Sequence, residues 1–102
     1  MPDNQNKLSP EEAERKIREI VEYGYIERRE HFYERMEQGE CDYNDLLLIL
    51  SKGKVKEPPK YDKKFKNWRY KVEGRTVEGD NVVIVVAIES NTKLVCITII
   101  PQ

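Results

Sequence analysis

NWRYKVEGRTVEGDNVVIVVAIESNTKLVCITII, residues 67–100, decides the fold. From Asn67 the hydrophobic pattern alternates, with Trp68, Tyr70 and Val72 on one face and Arg69, Lys71 and Glu73 on the other, as in a half-buried strand. Gly74 and the cluster Glu78-Gly79-Asp80-Asn81 supply turn chemistry. Val82 to Ile88 is an almost unbroken apolar run, which predicts a strand covered on both faces. Glu89 to Thr92 makes the next turn. Leu94 to Ile100 predicts a third strand, in which Leu94, Cys96, Thr98 and Ile100 alternate against Val95, Ile97 and Ile99. The connections are too short for a crossover helix, so the spacing predicts an antiparallel meander in sequence order.

Upstream the period is helical. Ser9, Pro10 and Glu12 form a capping box with proline at the first position. Ala13, Ile17, Ile20 and Val21 then share a face as far as Tyr23, and Gly24 is expected to end the helix in a left-handed conformation. Tyr25 and Ile26 read as a short extended bridge. Helical spacing resumes from Arg28 to Gln38, with Phe32 and Met36 packing and Gly39 as the stop. Asp42 caps a third helix, Tyr43 to Lys52, whose LLLIL run must lie deep against a sheet. Gly53 closes it, and Pro58 and Pro59 impose an extended loop. The fold class is therefore α+β, with N-terminal helices packed on a C-terminal antiparallel β-sheet.

At 102 residues the chain is long enough for one core, with residues 1–8 read as a disordered tail. Charged residues make up 36% and hydrophobic ones 38%, but the apolar residues are gathered into runs, which argues for a folded domain. No apolar stretch approaches the ~20 residues of a membrane span, and the first residues lack the pattern of a signal peptide. These features lead to the expectation of a cytoplasmic protein. Cys41 and Cys96 lack metal-ligand spacing and are read as buried thiols, and with a single histidine no metal site and no cofactor is expected.

A net charge of -1 hides an asymmetry: residues 1–51 carry seven Lys/Arg against thirteen Asp/Glu, and residues 52–80 carry ten against five. Tyr61, Phe65, Trp68 and Tyr70 are interleaved with the basic residues of the middle. Two readings stand. The stretch is a surface for a polyanion, with Lys63, Lys64, Lys66 and Arg75 on phosphates, or it is a solvated loop. One helical turn separates His31 from Arg35, with Arg28 three residues before His31, so a histidine beside guanidinium groups is expected, its charged form disfavoured. That pattern suits proton transfer next to a phosphate. Pairing of His31 with Glu27 on a solvated helix is the alternative.

Five separated pieces then carry a resemblance: His31-Phe32-Tyr33-Glu34-Arg35-Met36, the helix end Leu50-Ser51-Lys52-Gly53-Lys54-Val55, Arg69-Tyr70-Lys71-Val72-Glu73-Gly74, Val82-Val83-Ile84-Val85-Val86 and Leu94-Val95-Cys96-Ile97-Thr98. In this order they resemble a domain-of-unknown-function family typified by H-x3-RM, a later glycine, R-Y-x-V-x-G and V-x-I-T, from about Ile26 to Ile100. That family is similar to the RelE-like and MqsR-like type II toxins, and KIREIVEYGYI is similar to the start of MqsR-type toxins. The lysine, glutamine and tyrosine set of the best-known MqsR toxins has no counterpart here.

The resemblance implies a RelE/barnase-like fold and a metal-independent endoribonuclease, an mRNA interferase of a toxin-antitoxin system. Its substrate would be mRNA, free or ribosome-bound, and its partner an antitoxin protein of a small zinc-finger type. It implies His31 as base or acid, Arg35 and Arg69 as phosphate clamps, Tyr70 as a proton donor and Thr98 as a hydrogen-bonding orienter, with Arg28 among the RNA contacts. For Tyr70 a place in the core, beside Trp68 and Val72, is the competing reading; for Thr98 it is a β-branched residue that simply fits a strand. A non-catalytic RNA- or protein-binding module of the same fold is the alternative for the whole chain.

Overall fold

The Ser9 hydroxyl accepts the Glu12 amide at 3.2 Å and the Glu12 carboxylate accepts the Ser9 amide at 2.9 Å, so the first helix begins as its capping box requires. The computed structural model describes residues 7–102. In chain order these form α1 (Pro10–Tyr23), β1 (Tyr25–Arg28), α2 (Glu30–Glu37), α3 (Tyr43–Lys52), β2 (Lys60–Asp62), β3 (Asn67–Arg75), β4 (Asn81–Ser90) and β5 (Lys93–Pro101). Asp42 caps α3 reciprocally with Asp45, at 2.8 and 3.0 Å. Among the described residues no helix is long and apolar enough to cross a membrane.

The five strands form one sheet in the order β1-β5-β4-β3-β2. The meander β3-β4-β5 is antiparallel as its turns demand, and β2 adds an antiparallel edge. The bridge at Tyr25 is a true strand, however, and β1 runs parallel to β5, Ile26 opposite Leu94 and Arg28 opposite Cys96. The sheet is therefore mixed, which corrects the antiparallel expectation: α2 and α3 together with the meander provide the long return that parallel pairing needs. Gly24 is not left-handed; its φ is -115°, and a Cβ there would lie 2.4 Å from the Thr92 carbonyl. The glycine is needed because α1 meets the β4–β5 turn backbone to backbone, where Tyr25 N–H donates to the same carbonyl at 2.8 Å.

The helices bury one face of the sheet. Ala13, Ile17, Ile20, Phe32, Leu46, Ile49 and Leu50 pack on Tyr70, Val72, Ile84, Val86, Leu94, Cys96 and Ile99. In the LLLIL run the side chains divide by helical period, and Leu48 is 36% exposed rather than deep. Leu8 also packs on this core and Lys7 lies over the Trp68 ring, so these two residues depart from the expected tail, the rest of which lies outside the described residues. Cys41 and Cys96 are buried free thiols, as their spacing suggested. Burial pushes Cys41 up to about 11 and Cys96 up to about 12.

A β-bulge changes what β5 presents. Val86 pairs with Cys96 but Val85 pairs with Thr98, so Ile97 is the extra residue. Past it the alternation is reversed from that expected: Ile99 joins the buried core, and Thr98 shares the opposite face with Val85 and Lys71.

Candidate functional site

That opposite face carries none of the buried helix residues among the described residues. Three rows of paired positions cross it: Arg69, Ala87, Val95 and Glu27; Lys71, Val85 and Thr98; Glu73, Val83 and Ile100. Val83, Val85, Ala87 and Val95 are nevertheless buried. Long charged side chains from the edges can shield such a stripe with their methylene stems while keeping their heads in water. The result is a bare sheet face with an apolar floor and polar walls that carry charges of both signs.

One corner is built around Asp62. Its carboxylate accepts the Phe65 amide at 3.0 Å and pairs with Arg69 Nη2 at 2.8 Å. The Phe65 amide, more than the Arg69 charge, holds the Asp62 carboxyl below its ordinary range. The turn between β2 and β3 closes with Lys66 at a φ of 55°, a left-handed conformation rarely adopted by lysine. Phe65 stands 47% exposed, and beside it an open cleft of about 180 Å³ is lined by Arg29, Asn67, Ala87, Glu89 and Val95 among others. Neither Arg29 nor Phe65 was singled out as a site residue from the sequence. The available signal was an aromatic set between Lys64 and Lys66.

The expected catalytic residues are not brought together as a group. His31 is on the first turn of α2, its side chain 63% exposed, with Nδ1 at 4.0 Å from Glu34 Oε1. The arginines expected around it are turned elsewhere. The Arg28 guanidinium, expected among the RNA contacts, is stacked on Tyr33 at 4.3 Å and Tyr43 at 4.8 Å. Arg35 donates from Nη2 to the Ile99 carbonyl at 2.9 Å and pairs with Glu40 at 3.4 Å. β1 ends opposite Cys96, and Arg35 from α2 supplies a donor to the edge of β5 beyond it. The alternative partner of His31, Glu27, is engaged by Lys93 at 3.0 Å and Arg29 at 3.8 Å.

Tyr70 is 1% exposed and on the helix side of the sheet, with its hydroxyl accepting the Leu8 amide at 2.9 Å. Burial raises its pKa, which leaves the phenol protonated. The core reading of Tyr70 is thus the one that holds. Arg69 and Thr98 do share the bare face, one row apart.

The basic residues also divide. Lys63, Lys64 and Lys66 are exposed on the β2–β3 turn and enter no ion pair among the described residues. Arg75 is at the other end of β3, ~27 Å away at the usual strand rise, beside Lys54 and Lys56. The middle of the chain therefore does not form one continuous basic patch. Among the described residues no three His, Cys, Asp or Glu side chains come together as a metal-binding group.

Comparison with curated proteins and with solved structures gave no match. Residues 28–101, well over half of the length, match the model of a domain of unknown function, DUF4258, and they include both α2 with its His31 and the whole meander; the chain belongs to the DUF4258 family.

Proposed function

We propose that this chain is a toxin-like, metal-independent endoribonuclease, an mRNA interferase that lays single-stranded RNA across the bare face of its sheet and is held in check by an antitoxin protein. The observation that carries the reading is that face itself: it is free of helices among the described residues, yet holds Arg69, Lys71 and Thr98 in adjacent rows beside the unpaired lysines of the β2–β3 turn. Uncovered sheets with basic and aromatic side chains suit single-stranded RNA, whose bases can be splayed out.

In such a reaction a base takes the 2′-hydroxyl proton, the 2′-oxygen attacks phosphorus, and the 5′-oxygen leaves with a proton. The products are a 2′,3′-cyclic phosphate and a free 5′-hydroxyl. His31 is the proton-transfer group of this proposal because its imidazole is exposed and can both give and take a proton, and it stands on α2, on the other side of the sheet from Arg69 and Thr98. Arg69 meets a phosphate by exchanging its Asp62 partner, and Thr98 orients the backbone by hydrogen bonding. Arg35 acts at one remove, by tying α2 to β5, and Tyr70 belongs to the core.

The same corrections favour a second reading. Cleavage needs both an acid and a base, and with Tyr70 buried His31 is the one exposed proton-transfer candidate left among the expected residues. A non-catalytic RNA- or protein-binding module of this fold would need neither. Incubating the purified chain with end-labelled RNA in a chelator separates the two. Cleavage to cyclic-phosphate ends, lowered ~10²- to 10⁴-fold by His31→Gln with binding retained, supports the ribonuclease. RNA left intact with and without ribosomes, or cut as fast by the variant, leaves the binding module.

A further inference from the structure

Three cations surround the exposed ring of Phe65: Arg29 at 5.3 Å, Lys64 at 5.4 Å and Arg69 at 5.6 Å from its centroid. These distances lie near the outer limit of about 6 Å for a cation over a ring. They contrast with Arg28, which lies directly on Tyr33 at 4.3 Å. The three cations therefore lie over Phe65 at long range, and the residue is still 47% exposed on the rim of the cleft. An aromatic so exposed gains nothing for the core. Its position is nonetheless set by the Asp62 bond to its amide and by the left-handed Lys66 that follows it. A non-glycine residue held at positive φ persists where the surrounding structure over-determines it, and such positions gather at ligand clamps. At the wall of the same cleft the side-chain oxygen of Asn67 is buried without a hydrogen-bond partner among the described residues.

We infer that Phe65 is a stacking platform for one unpaired nucleobase of single-stranded RNA, with Arg29, Lys64 and Arg69 receiving the phosphates on either side. The inference rests on the RNA-binding reading above and adds the position at which the strand is gripped. Every nucleobase has a π-face, so the platform holds a strand without reading its sequence. Charge complementarity selects this occupant: the rim offers a neutral ring for the base, with Lys64 outside the ion pairs of the described residues and with Arg29 and Arg69 able to exchange Glu27 and Asp62 for its phosphates. A duplex, whose bases are stacked on one another, has no base to offer.

The test is fluorescence anisotropy with a labelled single-stranded RNA, 2′-O-methylated so that it cannot be cleaved, and with the corresponding duplex. Phe65→Leu should weaken single-strand binding between about 5-fold and 150-fold, the usual range for losing one stacked base. Phe65→Trp should restore it, with quenching of the new indole on binding. The salt dependence should be unchanged by Phe65→Leu, whereas Lys64→Ala should flatten it by about 0.7 in log-log slope. Phe65→Leu binding as tightly as wild type overturns the stacking platform while leaving the RNA reading intact. Wild-type protein binding neither RNA at low salt overturns that reading and the platform with it.

Discussion

Replacing Tyr70 with phenylalanine separates a structural from a catalytic role at one atom. The ring is 1% exposed and packs with Val72, Val86 and the helices, so Tyr70→Phe keeps the packing and deletes only the hydroxyl. That hydroxyl accepts the Leu8 amide at 2.9 Å in a partly buried setting. Losing a neutral hydrogen bond of this kind costs about 0.5–1.5 kcal/mol, and water reaching the half-buried Leu8 amide keeps the figure toward the lower end. For a chain of 102 residues the unfolding entropy near the midpoint is about 0.2 kcal/mol/K, so 1 kcal/mol corresponds to a Tm lowered by roughly 5 °C. Thermal unfolding followed by circular dichroism should show a fall of that order, with RNA binding and cleavage unchanged. A proton donor behaves otherwise: removing general-acid catalysis costs about 10²- to 10⁴-fold in rate. A folded Tyr70→Phe protein that binds RNA but has lost cleavage by such a factor would refute the assignment of Tyr70 to the core.

Arg35→Met, which keeps much of the apolar stem, should destabilise the fold by about 1–3 kcal/mol, because the Ile99 carbonyl loses its donor and Glu40 its partner; urea denaturation reads this directly, and unchanged stability with lost RNA affinity would make Arg35 a phosphate clamp after all. Replacing Lys63, Lys64 and Lys66 together with alanine should weaken RNA binding uniformly across sequences and flatten the log-log salt slope by about 2 if each meets one phosphate; equal affinity at low salt would show a merely solvated turn. Acidification should loosen the Phe65 turn. The folded pKa of Asp62 is depressed, so its contribution is whole above the ordinary value of 3.8 and is lost as pH falls below that through the folded value. Backbone amide shifts of Phe65 against pH report it, and Asp62→Asn, which retains an acceptor, should remove the transition.

What was legible in the sequence was what local chemistry settles. α1 and α3 begin as their caps require, because the capping box is a contact between residues three apart, and they end just before Gly24 and Gly53. The meander was legible because alternation and turn residues lie side by side. β1 was not: four residues carry too little alternation to announce a strand, and its partner β5 is the last element of the chain. Nor was the bulge at Ile97. In Val-Cys-Ile-Thr-Ile-Ile any phase of a two-residue period is nearly equally apolar, so only pairing with β4 decides which side chains face the helices. That one-residue shift moved Thr98 onto the bare face, where the site reading needs it, by a cause the alternation did not contain. Tyr70 had been read both ways, and sharing a face with Val72 was the stronger indication.

The asymmetry of charge is divided unevenly by the fold. Four of the ten basic residues of the middle are neutralised on the spot: Lys54 reaches Glu14 at 3.7 Å, Lys56 reaches Glu73 at 3.4 Å, Lys71 reaches Glu57 at 4.0 Å, and Arg69 reaches Asp62 at 2.8 Å. The three lysine pairs are largely exposed and, being worth about 0–1 kcal/mol each, hold their side chains only loosely. Sequence counting weighs these lysines equally with Lys63, Lys64 and Lys66, but the latter three project together from one turn and, like Lys52, Lys60 and Arg75, enter no ion pair among the described residues. Where a polyanion would first feel this protein is therefore decided by pairing, not by composition. It is the corner at which unpaired lysines, the half-buried Arg69–Asp62 bridge and the exposed Phe65 ring meet the edge of the bare sheet.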